Sequence, residues 1–101
     1  MPHVRRVTVE PTKVTPAEAV VTVRVEADGP VRGRLVGPYL SGVTTVAVAY
    51  PLRPLSDDPL TLTAVIPEPN LWTPDAPFHY TGTVEAGGEV SRFRVEVRMV
   101  R

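Results

Sequence analysis

Apolar and polar residues alternate at every second position through much of this chain. The clearest run spans residues 19–27, where every odd-numbered residue is valine or alanine and most even-numbered residues are polar or charged. A period of two places successive side chains on opposite faces of a β-strand. The run therefore predicts a strand with one buried face and one wetter face.

Six further segments show the same alternation between Gly, Pro and Asp residues, and they predict seven short strands in all. The predicted strands cover residues 4–10, 19–27, 31–36, 43–50, 60–66, 78–85 and 90–100. In the fourth strand we expect Val46, Val48 and Tyr50 to face inward. Pro51 and Pro54 are expected to end that strand, because proline cannot donate a ladder hydrogen bond.

Turn residues separate the other predicted strands. Pro11 and Pro16 are expected to bracket the turn after the first strand, and Gly87-Gly88 is expected to form a hairpin before the seventh. The odd-numbered residues from Ser91 to Met99 are expected to face inward. Seven strands at about ten-residue spacing predict an all-β, immunoglobulin-like sandwich of two antiparallel sheets, with residues 1–101 forming a single domain.

The charge balance narrows the class of partner. The chain has 11 basic and 11 acidic residues among its 101 residues, so the sequence predicts neither nucleic-acid nor membrane binding. The arginines do cluster at spacing two, and we expect their side chains to lie on a solvated outer face. The two clusters are Arg32 and Arg34, then Arg92, Arg94 and Arg98.

Several kinds of site lack their usual residues. The chain has no cysteine, which excludes disulfides and thiolate chemistry, and its two histidines, His3 and His79, are too far apart to predict a metal site. Neither a cofactor motif nor a signal peptide is visible, and no apolar run approaches the roughly 20 residues that span a bilayer. The compartment is left open by these observations.

The acidic residues do not form a pattern typical of catalysis. Asp57 and Asp58 lie in a predicted loop, while Glu68 and Asp75 lie in a proline-rich segment where capping and turn roles are expected. No serine has the setting of a nucleophile elbow. We therefore expect no catalytic residue, and no enzymatic activity from this chain alone.

The most specific feature of the sequence is the segment 69–80, which reads PNLWTPDAPFHY. It resembles the motif that closes the immunoglobulin-like domain of glycoside hydrolase family 2, the family of β-galactosidases, β-glucuronidases and β-mannosidases. The family pattern there has the form P-x-L-W-(S/T)-P-(E/D)-x-P-x-L-Y. His79 departs from it by standing where the pattern usually has Leu. The matching residues are Pro69, Leu71, Trp72, Thr73, Pro74, Asp75, Pro77 and Tyr80.

The resemblance implies a function by position in a larger protein. In family 2 enzymes the two catalytic carboxylates lie in a separate barrel, so a domain of this type is implied to be a non-catalytic accessory domain. Its implied partners are an adjacent catalytic barrel or sugar-binding domain. The end of the chain resembles the family's V-R-x-G-F-R junction with the barrel, although Met99 and Val100 replace Gly-Phe.

The motif also has a physical interpretation. Its prolines restrict the backbone, so the segment can cross between sheets without regular structure. We expect Leu71 and Trp72 to cap the open end of the sandwich. The Tyr80 hydroxyl is expected to hydrogen-bond to a nearby backbone group, as in a tyrosine corner.

Two alternative functions remain open from the sequence. Trp72 could stack on a sugar ring, which would make the chain a weak carbohydrate-binding module, although packing within or between domains is favoured by its proline-rich setting. A free-standing protein-interaction module could use an exposed edge strand to add a strand from a partner. The many prolines instead favour edges that are protected against such pairing.

Overall fold

The computed structural model describes residues 4–99, and this part of the chain consists of antiparallel β-strands and connecting segments, without an α-helix. The prediction of an all-β fold is confirmed. The seven strands are β1 (Val4–Val14), β2 (Glu18–Ala27), β3 (Arg32–Tyr39), β4 (Val48–Leu55), β5 (Asp58–Pro67), β6 (His79–Ala86) and β7 (Glu89–Val95).

The strands are hydrogen-bonded in the order β1-β2-β5-β4-β3-β6-β7. Strand β4 belongs to both halves of this arrangement, because it pairs with β3 through residues 48–52 and with β5 near its end. The two outermost strands, β1 and β7, contact each other. The seven strands therefore form a nearly closed arrangement of two sheets, one with β1, β2 and β5 and one with β3, β6 and β7, linked through β4.

Small β-branched and aliphatic side chains from both sheets fill the interior. In β2, the alternating residues from Ala19 to Ala27 are all buried, as the period of two predicts. The largest fully buried side chains include Tyr80, Leu35, Leu62 and Ile66. Each buried aliphatic side chain contributes about 1.5–3 kcal/mol relative to an exposed one, so this shared interior holds the two sheets together.

The prediction for the fourth strand is wrong in its position and for Val46 and Val48, but the half-buried Tyr50 packs against the core as expected. Strand β4 begins at Val48, continues through Pro51 and Pro54, and buries Leu52. Val46 is 86% exposed, and Val48 is also exposed rather than inward-facing. Prolines are tolerated here because each part of β4 pairs on one side only, which leaves positions where a missing N–H breaks no ladder bond.

Three other strands end more than two residues from the predicted position, and one of them is β3, which continues to Tyr39 rather than ending at residue 36. Strand β1 does not stop before Pro11 but continues to Val14, because β1 lies at the edge and a register shift between Pro11 and Lys13 accommodates the proline. Strand β7 ends at Val95, and Met99 is 50% exposed instead of facing inward. The predicted strand end at residue 100 lies outside the described residues.

Candidate functional site

The segment between β5 and β6, which contains the family-like motif, is irregular but fixed to the body of the domain. Pro69 is buried, and the half-buried Leu71 packs against the hydrophobic core. At the start of the segment, the Glu68 N–H donates to the Ala17 carbonyl at 2.8 Å. We refer to residues 69–80 as the motif segment.

Tyr80 connects the start of the motif segment to the buried interior. Its side chain is 1% exposed, and its hydroxyl oxygen accepts a hydrogen bond of 3.0 Å from the Asn70 N–H. Gly37 in β3 makes room for the ring, since a Cβ added there would lie 2.5 Å from Tyr80 Cδ2. Burial raises the pKa of the Tyr80 hydroxyl. The hydroxyl therefore stays neutral at physiological pH. Its hydrogen bond forms a tyrosine corner between β6 and the backbone at Asn70.

The middle of the motif segment is a tight turn from Thr73 to Ala76. The backbone N–H of each of these two residues donates to the carbonyl of the other at 3.1 Å, and the Ala76 N–H also donates to the Thr73 hydroxyl at 3.0 Å. Pro74 and Asp75 occupy the exposed tip, and Pro is favoured at this first central position of a turn. Pro74 and Asp75 therefore serve the turn, and Pro77 lies just beyond it.

Trp72 connects the motif segment to the residues that follow β7. The backbone N–H of Trp72 donates to the Val97 carbonyl at 2.8 Å. The Arg98 guanidinium carbon lies 3.6 Å from the centre of a Trp72 ring. This distance is typical of a cation–π contact. One face of the half-buried indole is covered by Arg98, which leaves only the other face for a sugar unless Arg98 moves.

Glu96 holds Arg98 in that position. The Glu96 carboxylate accepts a hydrogen bond of 2.6 Å from Arg98 and lies 3.7 Å from the Arg94 guanidinium. The hydrogen bond from Arg98, together with the positive charges of Arg98 and Arg94, lowers the pKa of Glu96. Glu96 thus stays ionised and joins the two arginines into a row that ends on the Trp72 ring.

His79, the departure from the family pattern, lies at the start of β6. Its ring is tilted against Tyr39 with 5.8 Å between the centroids, and its Nδ1 is buried without a hydrogen-bond partner within residues 4–99. Burial is the largest cause lowering the pKa of His79, and the positive charge of Arg94 lowers it further, while Glu96 opposes both. The imidazole is therefore neutral near pH 7 and fills space much as an apolar residue would.

A comparison of the whole sequence with family models identifies the family. A family model described as glycosyl hydrolases family 2, which represents the immunoglobulin-like domain of that family, matches residues 2–96. The chain belongs to glycosyl hydrolases family 2. None of the curated proteins gives a significant match to the family 2 domain described here.

The acidic residues of the family 2 domain occupy separate places. Asp58 does not lie in a loop as predicted but begins β5, where its carboxylate accepts hydrogen bonds from the Leu60 N–H at 3.2 Å and from the Thr61 hydroxyl at 2.7 Å. Asp57 and Glu68 are exposed. Within residues 4–99, the acidic residues and His79 form no group of three that could hold a metal ion, and no helix is long and apolar enough to cross a membrane.

The two arginine clusters, far apart in the sequence, come together on the outer face of the family 2 domain. Register pairs Arg34 in β3 with Thr83 in β6, and pairs Thr83 in turn with Arg92 in β7. The arginine side chains are exposed, as expected for a solvated face. Sequence reasoning identified each cluster but missed this row, because only the order of β3, β6 and β7 in the sheet brings the clusters together.

Proposed function

We propose that this family 2 domain is a non-catalytic accessory domain that holds a catalytic barrel in position within a longer hydrolase. One observation carries the proposal: the family model for the immunoglobulin-like domain matches residues 2–96, a range that includes all seven strands. In a domain of this kind the two carboxylates that cleave the glycosidic bond belong to another part of the protein.

The surroundings of the carboxylates support a role outside catalysis. A retaining glycosidase needs two carboxyl groups about 5 Å apart on either side of the scissile bond. Here Asp58 caps the start of β5, Asp75 lies at the tip of a turn, and Glu96 is bound by two arginines. Each of these groups has a local structural use, and the three lie on different elements.

The fixed path of the chain beyond β7 supports a positioning role. After Val95 the backbone leaves the sheet, but Val97 is buried and accepts the Trp72 hydrogen bond, and Arg98 lies on the Trp72 ring. These contacts set the direction of residues 96–98 against the motif segment. A domain that orients a neighbour through its last strand needs such a rigid connection.

The proposal is tested first at the gene and with the isolated chain. We expect the reading frame to continue beyond codon 101 into a barrel domain. We also expect the purified 101-residue chain to release no 4-nitrophenol from 4-nitrophenyl β-galactoside, β-glucuronide or β-mannoside. A stop codon at that point with no neighbouring hydrolase gene, or turnover by the chain alone, would contradict the proposal.

In the longer protein, Trp72→Ala tests the positioning role directly. Loss of the contact between Trp72 and Arg98 should loosen residues 96–98 against the motif segment. We expect kcat/KM to fall several-fold, because a small displacement of the catalytic groups lowers the rate even when the mutation is far from them. Val46→Ser, an exposed change on another segment, is the control and should leave kcat/KM unchanged. Equal activity of the Trp72→Ala variant and the wild type would argue against a role in positioning.

A further inference from the structure

The outer face of β3, β6 and β7 presents arginines in successive rows. One row is Arg32, Glu85 and Val90, and the next is Arg34, Thr83 and Arg92. Paired antiparallel strands are about 4.8 Å apart, so the Cα atoms of Arg34 and Arg92 are about 10 Å apart with Thr83 between them. Two long arginine side chains at this separation can reach one group bound above Thr83.

A shallow groove of 360 Å³ lies along these two rows, with Thr83 between the arginines and Val90 at one side. A second depression of 440 Å³ shares Arg32 and Glu85 with it and extends to the Gly87-Gly88 turn. The surface is therefore an elongated groove on an open sheet face. It lacks the enclosing walls that small-molecule sites use to bury most of a ligand.

Only part of the positive charge on this face is neutralised. Glu85 pairs with Arg32 at 3.1 Å, and Glu96 pairs with Arg94 at 3.7 Å and with Arg98 at 2.6 Å. Arg34 and Arg92, on either side of Thr83, have no acidic partner within residues 4–99. The face thus holds two unpaired positive charges in one row, with a carboxylate on either side of that row along the strands.

The distribution of charge selects the chemistry of the partner. Arginine binds a carboxylate through two parallel hydrogen bonds, and it is enriched at protein interfaces, where lysine is depleted. A nucleic acid would need a long basic track for its phosphates and would meet Glu85 and Glu96 on either side of this row along the strands. A flat surface carrying one or two carboxylates fits the row without such repulsion.

We propose that the face formed by Arg34, Thr83 and Arg92 is a docking surface for an acidic patch on a protein partner. One or two aspartate or glutamate side chains of the partner lie above Thr83, between the two guanidinium groups. Val90, which is exposed at the side of the groove, supplies apolar contact next to the charged centre. This assignment goes beyond the accessory role, because it names an acidic protein surface as the partner, which that role does not require.

The test is an NMR titration of the isotope-labelled 101-residue chain with an acetylated hexaglutamate peptide at low salt. We expect saturable shifts of the Thr83 amide and of the Arg34 and Arg92 side-chain Nε–H signals, weakening as salt is added. In the double variant Arg34→Gln/Arg92→Gln, we expect about tenfold weaker binding, since two charge-assisted pairs are lost.

A charge-matched variant separates this face from general attraction. Arg24→Gln/Arg53→Gln removes two exposed arginines on β2 and on the part of β4 that pairs with β5, and it should bind the peptide as the wild type does. Thermal unfolding of both double variants confirms that they fold. Equal weakening in the two variants, or an unchanged spectrum on addition of peptide, would overturn the proposal.

Two further titrations identify the kind of anion that the face prefers. Inorganic phosphate and a twelve-nucleotide single-stranded DNA are added to the same labelled chain under the same conditions. We expect each to give weaker and less localised shifts than the peptide. Binding of either one at Arg34 and Arg92 as tightly as the peptide would replace the protein partner with a phosphate ligand and overturn the proposal.

Discussion

The domain contains two irregular connecting segments that both carry apolar side chains but hold them in opposite environments. Residues 69–78, before β6, tuck Pro69 and Leu71 inward, whereas residues 43–47, before β4, leave Val43 57% exposed and Val46 86% exposed. Hydrophobicity alone does not distinguish them, because both lie between strands and both contain apolar side chains.

The difference lies in how each backbone is tied to the rest of the domain. Residues 69–78 are tied to β6 by the hydrogen bond from the Asn70 N–H to the Tyr80 hydroxyl, and to the residues after β7 by the one from the Trp72 backbone N–H to the Val97 carbonyl. The hydrogen bonds of the other segment connect it only to the nearby residues 38–40, from the Val43 N–H to the Leu40 carbonyl and from the Thr45 hydroxyl to the Pro38 carbonyl. An irregular segment can bury side chains when its polar backbone groups find partners in the body of the fold.

The largest loss of stability is expected from a change at Tyr80. Tyr80→Phe keeps the buried ring but leaves the Asn70 N–H without its acceptor, so the free energy of unfolding should fall by about 1–2 kcal/mol. Urea unfolding measures the change. Tyr50→Phe is the matched control, because the half-buried Tyr50 packs edge-on against Tyr80 but its hydroxyl makes no hydrogen bond within residues 4–99, and its effect should stay within about 0.5 kcal/mol. Similar losses in both variants would mean that the corner bond does not hold the motif segment.

His79 is the exception within the tied region, because its buried Nδ1 has no partner there. His79→Leu restores the usual family residue and removes this unpaired atom, so it should raise the free energy of unfolding by about 1 kcal/mol at pH 7.5. Urea unfolding of the variant and the wild type at that pH measures the difference.

The same variant should change the response to acid. The folded state holds the pKa of His79 below its usual value of about 6.5, so between these two values the unfolded chain binds the proton more readily. Wild-type stability should therefore fall from pH 7.5 to pH 5.5, and His79→Leu should reduce that fall. A variant with the same pH dependence as the wild type would show that His79 is not the group responsible.

The smallest effect is expected in the loosely tied segment. Val46→Ser replaces an exposed apolar side chain, so the free energy of unfolding should change by less than about 0.5 kcal/mol. Thermal and urea unfolding check this. A loss near that of Tyr80→Phe would instead show that residues 43–47 are packed against something in solution, and the contrast between the two segments would no longer hold.

Regular alternation predicts the strands of this domain where packing is one-sided and continuous. Strands β2 and β5 bury the expected side chains, including Val21 and Leu62, and β6 buries Tyr80 and Val84. Prediction fails at β4, because proline normally indicates the end of a strand. Pro51 and Pro54 are tolerated only because β4 pairs on one side at each of these points. Pairing of that kind is a property of the assembled sheets, which local sequence does not contain.

The candidate site also has one part that local sequence predicts and another that depends on the assembled sheets. The motif segment is recognisable from residues that lie close together in the sequence, and the tyrosine corner is expected from Tyr80. The Arg98 contact with Trp72 joins residues 26 positions apart and depends on where the chain goes after β7. The row of Arg34, Thr83 and Arg92 likewise requires the strand order, since β3 and β6 are neighbours in space but not in sequence.

The transfer of β4 from β3 to β5 also has a mechanical consequence. A force that pulls the two sheets apart is resisted by the side-chain interior and also by a covalent strand with a ladder on each half. Sliding one half against the other loads several of these hydrogen bonds in parallel, which is the geometry that resists shear. The domain gains stiffness from such a connection, and a strand with two prolines provides it.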